Sequence, residues 1–330
     1  MTRFTIRFAI PLLAALLPLS ATLVPLTAWG QAATYPSRPV RIMLAFAPGG
    51  ATDTSARILA SYLERTTGQP HIVENRPGAF AQLATDAVTK SPADGYTLYL
   101  SAAAIATEPV INKQWTARLD RDLTIISMFV RFSVAIVVNS ALPINNLREL
   151  LAWSKANPGK LTQAIAVTPS TDMKEIEAHM GLVPLDVPYK GGPATLQAVM
   201  TGDAHYALGF ALDILPLIQS GKIRPIAYME KERHPQLPTV LTVAESGVGL
   251  DSFDAVYWYA LVGPGGLPAD ITAKLHAAVQ GAHRDRETAE RLEKLGMRPY
   301  IMTTAESRAR VLEEAKVAER RFAAGILKAR

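Results

Sequence analysis

Cysteine is absent from all 330 residues, which excludes disulfide staples, thiolate nucleophiles and thiolate-held metals. Histidine is scarce. His71, His179, His205, His234, His276 and His283 never fall at a metal-type spacing, so each is read as a core or surface residue and no metal is expected. No Gly-x-Ser-x-Gly elbow occurs, because Glu245-Ser246-Gly247 lacks the leading glycine. Pro48-Gly49-Gly50 is not followed by the Gly-Lys-Ser/Thr of a nucleotide-binding loop. With no nucleophile-base pair visible, the chain is read as a non-enzyme that needs no cofactor. Basic runs and aromatic ladders are also missing, which argues against nucleic acid. Beyond the N-terminal segment no apolar stretch reaches the length of a membrane span.

Charge is missing from residues 8–37, and this absence is informative. Arg3 and Arg7 precede an apolar run centred on residues 12–17, and small residues follow around Gly30, Ala32 and Ala33. That three-part pattern predicts a secretory signal peptide over residues 1–33, cut after Gly30 or Ala33, and hence a periplasmic protein. Pro11, Pro18 and Pro25 argue against a retained spanning helix. No cysteine follows the run, which argues against a lipid anchor. Removal of the two arginines takes the formal net charge from +5 to +3.

What remains is an ordinary globular composition, 49% hydrophobic and 19% charged, long enough for two domain-sized cores. Residues 40–46 form a near-continuous apolar run, as a buried strand should. Residues 54–67 carry Ile58, Leu59, Tyr62 and Leu63 at helical spacing and end at Gly68. Strand, helix and strand follow at 71–74, 80–90 and 96–100. The alternation resumes from residue 125, with strands near 161–167, 185–189, 205–210 and 224–229 and helices between them. A strand at 253–262 precedes helices at 269–283, 286–295 and 305–324. The expected fold is α/β, two doubly wound lobes with a cleft lined by strand-to-helix loops. Lobe 1 is expected over residues 34–137 and 256–330, and lobe 2 over residues 138–255.

The loop from Phe46 to Asp53 joins the first strand to the first helix. Its glycines let a ligand approach the backbone, and the helix start presents unpaired N–H groups with a partial positive charge. That geometry suits a small anion. It equally fits a tight turn capped by Thr52 or Asp53. Asp53 is also placed to meet a ligand amino or hydroxyl group. Lys190 either faces an anion or is a solvated turn lysine. Alternation puts Tyr257 and Tyr259 on one face of their strand and Trp258 on the other, where core packing outweighs ligand stacking.

Several short motifs stand in a fixed order. They are Tyr35-Pro36-Ser37-Arg38-Pro39, residues 46–53, Val73-Glu74-Asn75-Arg76-Pro77-Gly78-Ala79 and Asp94-Gly95-Tyr96-Thr97-Leu98. Pro158-Gly159-Lys160-Leu161, Val187-Pro188-Tyr189-Lys190-Gly191-Gly192, Leu237-Pro238-Thr239-Val240 and Thr242-Val243-Ala244-Glu245-Ser246-Gly247 follow. The succession resembles the Bug-type substrate-binding proteins of tripartite tricarboxylate transporters over essentially the whole mature chain. The resemblance implies a periplasmic binding protein fold of the type II kind and a monomer. It implies capture of a small organic acid and its delivery to permease subunits in the membrane or to a sensor. It implies ligand contacts at Phe46, Pro48, Gly49, Gly50, Thr52 and Asp53, at Ala79 and Gln82, and at Ser101 and Ala102. On the second lobe it implies Thr168, Ser170, Tyr189 and Gly209.

The chain departs from the family pattern around the expected cleft. Phe80, Ala81 and Gln82 stand where the family continues with glycines and an asparagine. The segment from Ala166 to Asp172 is shorter than the family's loop and has no glycine. A family aspartate aligns with Gly209. These changes motivate a second reading, a sensor or interaction protein that keeps the fold while its small-ligand binding is altered or lost.

Overall fold

The computed structural model describes residues 35–132, 134–166 and 170–329, together with Met1, Thr2 and Thr5. Apart from those three residues the expected signal peptide lies outside the described residues, as does Thr168. The chain opens with β1 (Val40–Leu44), α1 (Ala51–Thr67), β2 (His71–Asn75), α2 (Gln82–Thr89), β3 (Thr97–Ser101), α3 (Ala104–Ile111) and β4 (Leu123–Phe132). It continues with β5 (Val134–Asn139), α4 (Leu147–Ala156), β6 (Thr162–Ile165), α5 (Thr171–Met180), β7 (Leu185–Pro188), α6 (Gly192–Thr201), β8 (Tyr206–Phe210), α7 (Ala211–Gln219) and β9 (Ile223–Tyr228). It closes with β10 (Tyr257–Pro264), α8 (Ala269–Arg284), α9 (Arg286–Lys294), β11 (Met297–Pro299) and α10 (Thr304–Ala323).

The strands form two sheets, ordered β11-β4-β10-β3-β1-β2 and β7-β6-β8-β5-β9. The sequence suggests parallel sheets, yet each sheet contains a reversed strand. β10 runs antiparallel to β3 and β4, and β5 runs antiparallel to β8 and β9. β11, after α9, is likewise antiparallel to β4, whereas β5 and β10 reach their sheets from the other one: β5 follows β4 after a single residue, and β10 follows the segment that leaves β9. A strand arriving from the opposite side runs against its new neighbours. The expected lobe boundary after Val137 falls inside β5, all of whose pairing is in the second sheet.

Local chemistry explains the elements. β1 is fully buried at Val40, Ile42, Met43 and Leu44, each such side chain contributing about 1.5 to 3 kcal/mol. α1 buries Ile58, Leu59 and Leu63 and stops at Gly68, whose φ of 70° lets its N–H reach the Glu64 carbonyl. α4 starts where the Asn146 side chain accepts the Glu149 N–H at 2.9 Å. α10 starts in a reciprocal cap between Thr303 and Glu306. It packs on α3 and β4, and so belongs with the first sheet.

Two elements differ from the sequence reading. α3 is missing from it because its apolar residues face all sides and leave no period; nearly the whole helix is buried. β11 is too short to show alternation.

Candidate functional site

The strand-to-helix loops of both sheets converge on a cleft of about 170 Å³. Five helix starts line it: Gly50 to Thr52 of α1, Ala103 and Ala104 of α3, Ser170 to Asp172 of α5, Gly191 and Gly192 of α6, and Phe210 with Asp213 of α7. Each start leaves backbone N–H groups without helical partners and carries a partial positive charge. No lysine, arginine or histidine is among the described residues that line the cleft.

The loops meet across the cleft. A Cβ on Gly50 would lie 3.4 Å from the Pro193 side chain, and one on Gly191 would lie 3.8 Å from Ala47. Gly49 and Gly191 have φ of 92° and 125°, which glycine alone adopts without strain. Tyr257, Trp258 and Tyr259 of β10 all line the space, joined by Phe46 and Phe132. The Thr52 and Tyr259 hydroxyls lie 2.5 Å apart, and Ser170 and Tyr257 hydroxyls 2.6 Å apart, the second pair tying β10 to α5. Burial pushes both tyrosine phenols up.

Asp53 faces the protein. Its carboxylate accepts the Gly49 N–H at 3.2 Å, Arg57 at 2.9 and 3.0 Å and the Asn75 amide at 2.9 Å. Asn75 also donates to the Phe46 carbonyl at 2.9 Å. Burial opposes the charge, but these donors outweigh it and hold the carboxyl below its usual range. The cradle fixes the 46–50 loop and leaves Asp53 no oxygen turned to a ligand.

Two other acids in the cleft wall have basic partners behind them. Arg321 of α10 pairs with Asp172 of α5 at 3.0 Å and with Glu175. Arg310 pairs with Glu314 at 3.0 Å. Burial nonetheless pushes Asp172 and Glu314 up. Asp213 differs from both. It has no hydrogen bond or ion pair among the described residues, and burial pushes its carboxyl up to about 6.

Of the residues expected from the sequence, Phe46, Gly50, Thr52, Ala102 and Ser170 line the cleft. Pro48 and Gly49 belong to its first loop but are exposed and lie outside the lining. Ala79 and Gln82 lie outside the lining, Gln82 donating to Asp86 at 2.6 Å. Ser101 is buried and donates to the Ala102 carbonyl at 3.1 Å. Tyr189 packs on the core of the second sheet, and Lys190 is exposed. Gly209 turns inward, where a Cβ would come within 2.3 Å of Ile214. Phe80 does not enter the cleft. The sequence reading misses Asp213, although a lone acid in the apolar run from Ala211 to Leu217 marks it.

Two α/β lobes that enclose a cleft of converging helix starts define a solute-binding protein. The family model described as the tripartite tricarboxylate transporter family receptor matches residues 55–323, and the chain belongs to this family. It is 32% identical to BugT of Bordetella pertussis over 292 residues, covering 86% of this chain and 88% of that protein. It superposes on MatC from Rhodopseudomonas palustris with bound malate with a TM-score of 0.81 at 28% identity, covering 87% of this chain and 99% of MatC. An R. palustris protein with adipate gives a TM-score of 0.81 at 26% identity, covering 89% of this chain and 99% of that one. The chain is thus a ligand-binding receptor of the periplasmic binding protein kind.

Proposed function

We propose that the chain is exported by residues 1–33, binds a small organic carboxylate between its lobes in the periplasm, and presents it to the permease of a tripartite tricarboxylate transporter. The convergence of five helix starts on one cleft carries this reading. Their N–H groups supply a fixed positive field to a carboxylate without an arginine clamp. The relatives with malate and adipate support the same ligand class. The lobes act as bodies hinged where β4 gives way to β5 and at the segment from Met229 to Ala255, where Met229 N–H bonds to the Val134 carbonyl at 3.1 Å and Ala255 N–H to the Met229 carbonyl at 2.9 Å. Closure about this hinge buries the ligand and builds the surface the permease reads.

Mass spectrometry of ligand carried through purification of the exported protein tests the reading. It is accompanied by thermal melts against a broad panel of organic acids. A carboxylate in the purified protein, or melting raised by one acid of the panel, supports it. A folded protein that carries no acid and shifts with none would refute it.

A further inference from the structure

The cleft contains more negative charge than a receptor for a bare anion needs. Asp172 and Glu314 are balanced by Arg321 and Arg310. Asp213 has no such partner among the described residues: those that line the cleft include no base, and none donates a hydrogen bond to its oxygens. Its place in the first turn of α7 does not explain it. An acid there complements the helix dipole, but α3 and α6 open on the same cleft with no acid in their first turns. The carboxylate lies beside the start of α6, where a Cβ on Gly192 would stand 3.7 Å from Asp213 Oδ2, and it lines the cleft. The group is therefore a preformed, desolvated acceptor that opens on the ligand space.

Resting on the reading above, we infer that the ligand carries an amino group opposite its carboxylate, and that Asp213 is the counter-ion for that amino group. The ligand carboxylate is met by the N–H groups of the other helix starts that line the cleft. A dicarboxylate of matching length would set its second carboxylate against Asp213 in a cavity of low polarity, where like charges repel strongly. An ammonium at the same point replaces the missing base and restores neutrality. Asp53, which the sequence alone makes a candidate for the same task, is occupied by Arg57 and Asn75.

Calorimetric titration of the mature protein with paired probes tests this. The pairs are 4-aminobutyrate with glutarate and 5-aminovalerate with adipate, each sharing one spacer. The expected result is that an aminocarboxylate binds at least about tenfold more tightly than its dicarboxylate partner near neutral pH, a difference of one pKa unit's worth of interaction. Asp213→Asn removes that preference, and melting of the variant shows it folded. Binding of the aminocarboxylate to the unaltered protein should weaken as pH falls through about 6, where Asp213 takes up its proton. Among the described residues the other titratable groups facing the space are Asp172 from α5, Glu314 from α10 and Tyr257 and Tyr259 from β10. The Asp213→Asn protein, which keeps all four, should lose this pH dependence. A dicarboxylate that binds more tightly than its amino partner, with Asp213→Asn neutral or beneficial, overturns the inference and leaves the receptor reading intact. A folded protein that binds none of the four probes and no acid of the broader panel overturns both.

Discussion

Two aspartates show how much depends on what surrounds a carboxyl. Asp53 gains four donors on folding and is held below its unfolded range, so it contributes stability above the unfolded value that is lost as pH falls through the folded one. Asp213 gains no donor and is raised from 3.8 to about 6. Its sign is opposite: the folded state binds the proton more tightly, so this group penalises the fold at neutral pH and the penalty fades as pH falls from about 6 toward 4. The penalty is on the order of 2 to 3 kcal/mol at most, from 1.36 kcal/mol per unit. Asp213→Asn should therefore raise the melting temperature of the ligand-free protein by several degrees at neutral pH and by little near pH 4. A fall in melting temperature at neutral pH would contradict this. Strain is also legible at the residue scale. Ala79, Phe80 and Ala81 have φ of 46°, 53° and 72°, a left-handed run without glycine. Ala79 is exposed and loses little packing on truncation, so Ala79→Gly should stabilise by about 1 kcal/mol in urea unfolding.

At the scale of elements, legibility followed the strength of the period. α1 and α10 were visible in the sequence, α1 through its apolar stripe and its stop at Gly68 and α10 as the helix over residues 305–324. α3 was not, because burial on all sides removes the polar face that makes a period. The first-lobe loop was legible as a strand-to-helix junction, but its glycines fit a tight turn as well as a ligand contact, and it takes the tertiary structure to put Gly50 in the cleft lining. The second-lobe half was only partly so. Gly209 was expected at the ligand and faces Ile214, while Asp213, four residues on, opens on the cleft. Which side of a junction faces the ligand is set by tertiary packing of α6 and α7, and no local spacing encodes it. The loop contact at α1 supplies its own test. Gly50→Leu places a side chain against Pro193, already 3.4 Å from the Cβ position, and so wedges the two loops apart. Affinity for any cleft ligand should fall by about tenfold or more, 1.4 kcal/mol of lost closure, with the melting temperature of the ligand-free protein little changed. Unchanged affinity would show that these loops do not meet in the bound state.

For the whole molecule the question is what sets the balance between open and closed. Arg321 lies on α10, which packs with the first sheet, while Asp172 and Glu175 lie on α5 beside the second. The ion pairs span the cleft at its wall, and the Arg321 side chain is only 13% exposed, so the interaction is screened less than a surface pair. The Ser170 to Tyr257 hydroxyl contact crosses at the same place. If the lobes part, these contacts break and the charged groups return to water. Arg321→Met keeps the apolar stem but leaves Asp172 to be buried alone on closure. The closed form should lose roughly 1 to 3 kcal/mol, about a tenfold to hundredfold shift toward open. Small-angle scattering should show a larger radius of gyration for the ligand-free variant, and ligand affinity should fall by a similar factor. Adding Asp172→Asn removes the stranded charge, so the double variant should recover part of the loss, and the two substitutions should be non-additive. Lowering the pH should rescue the single variant as well, because burial already favours the protonated form of Asp172. An Arg321→Met protein with unchanged scattering and affinity would place the latch elsewhere and leave closure to the ligand alone.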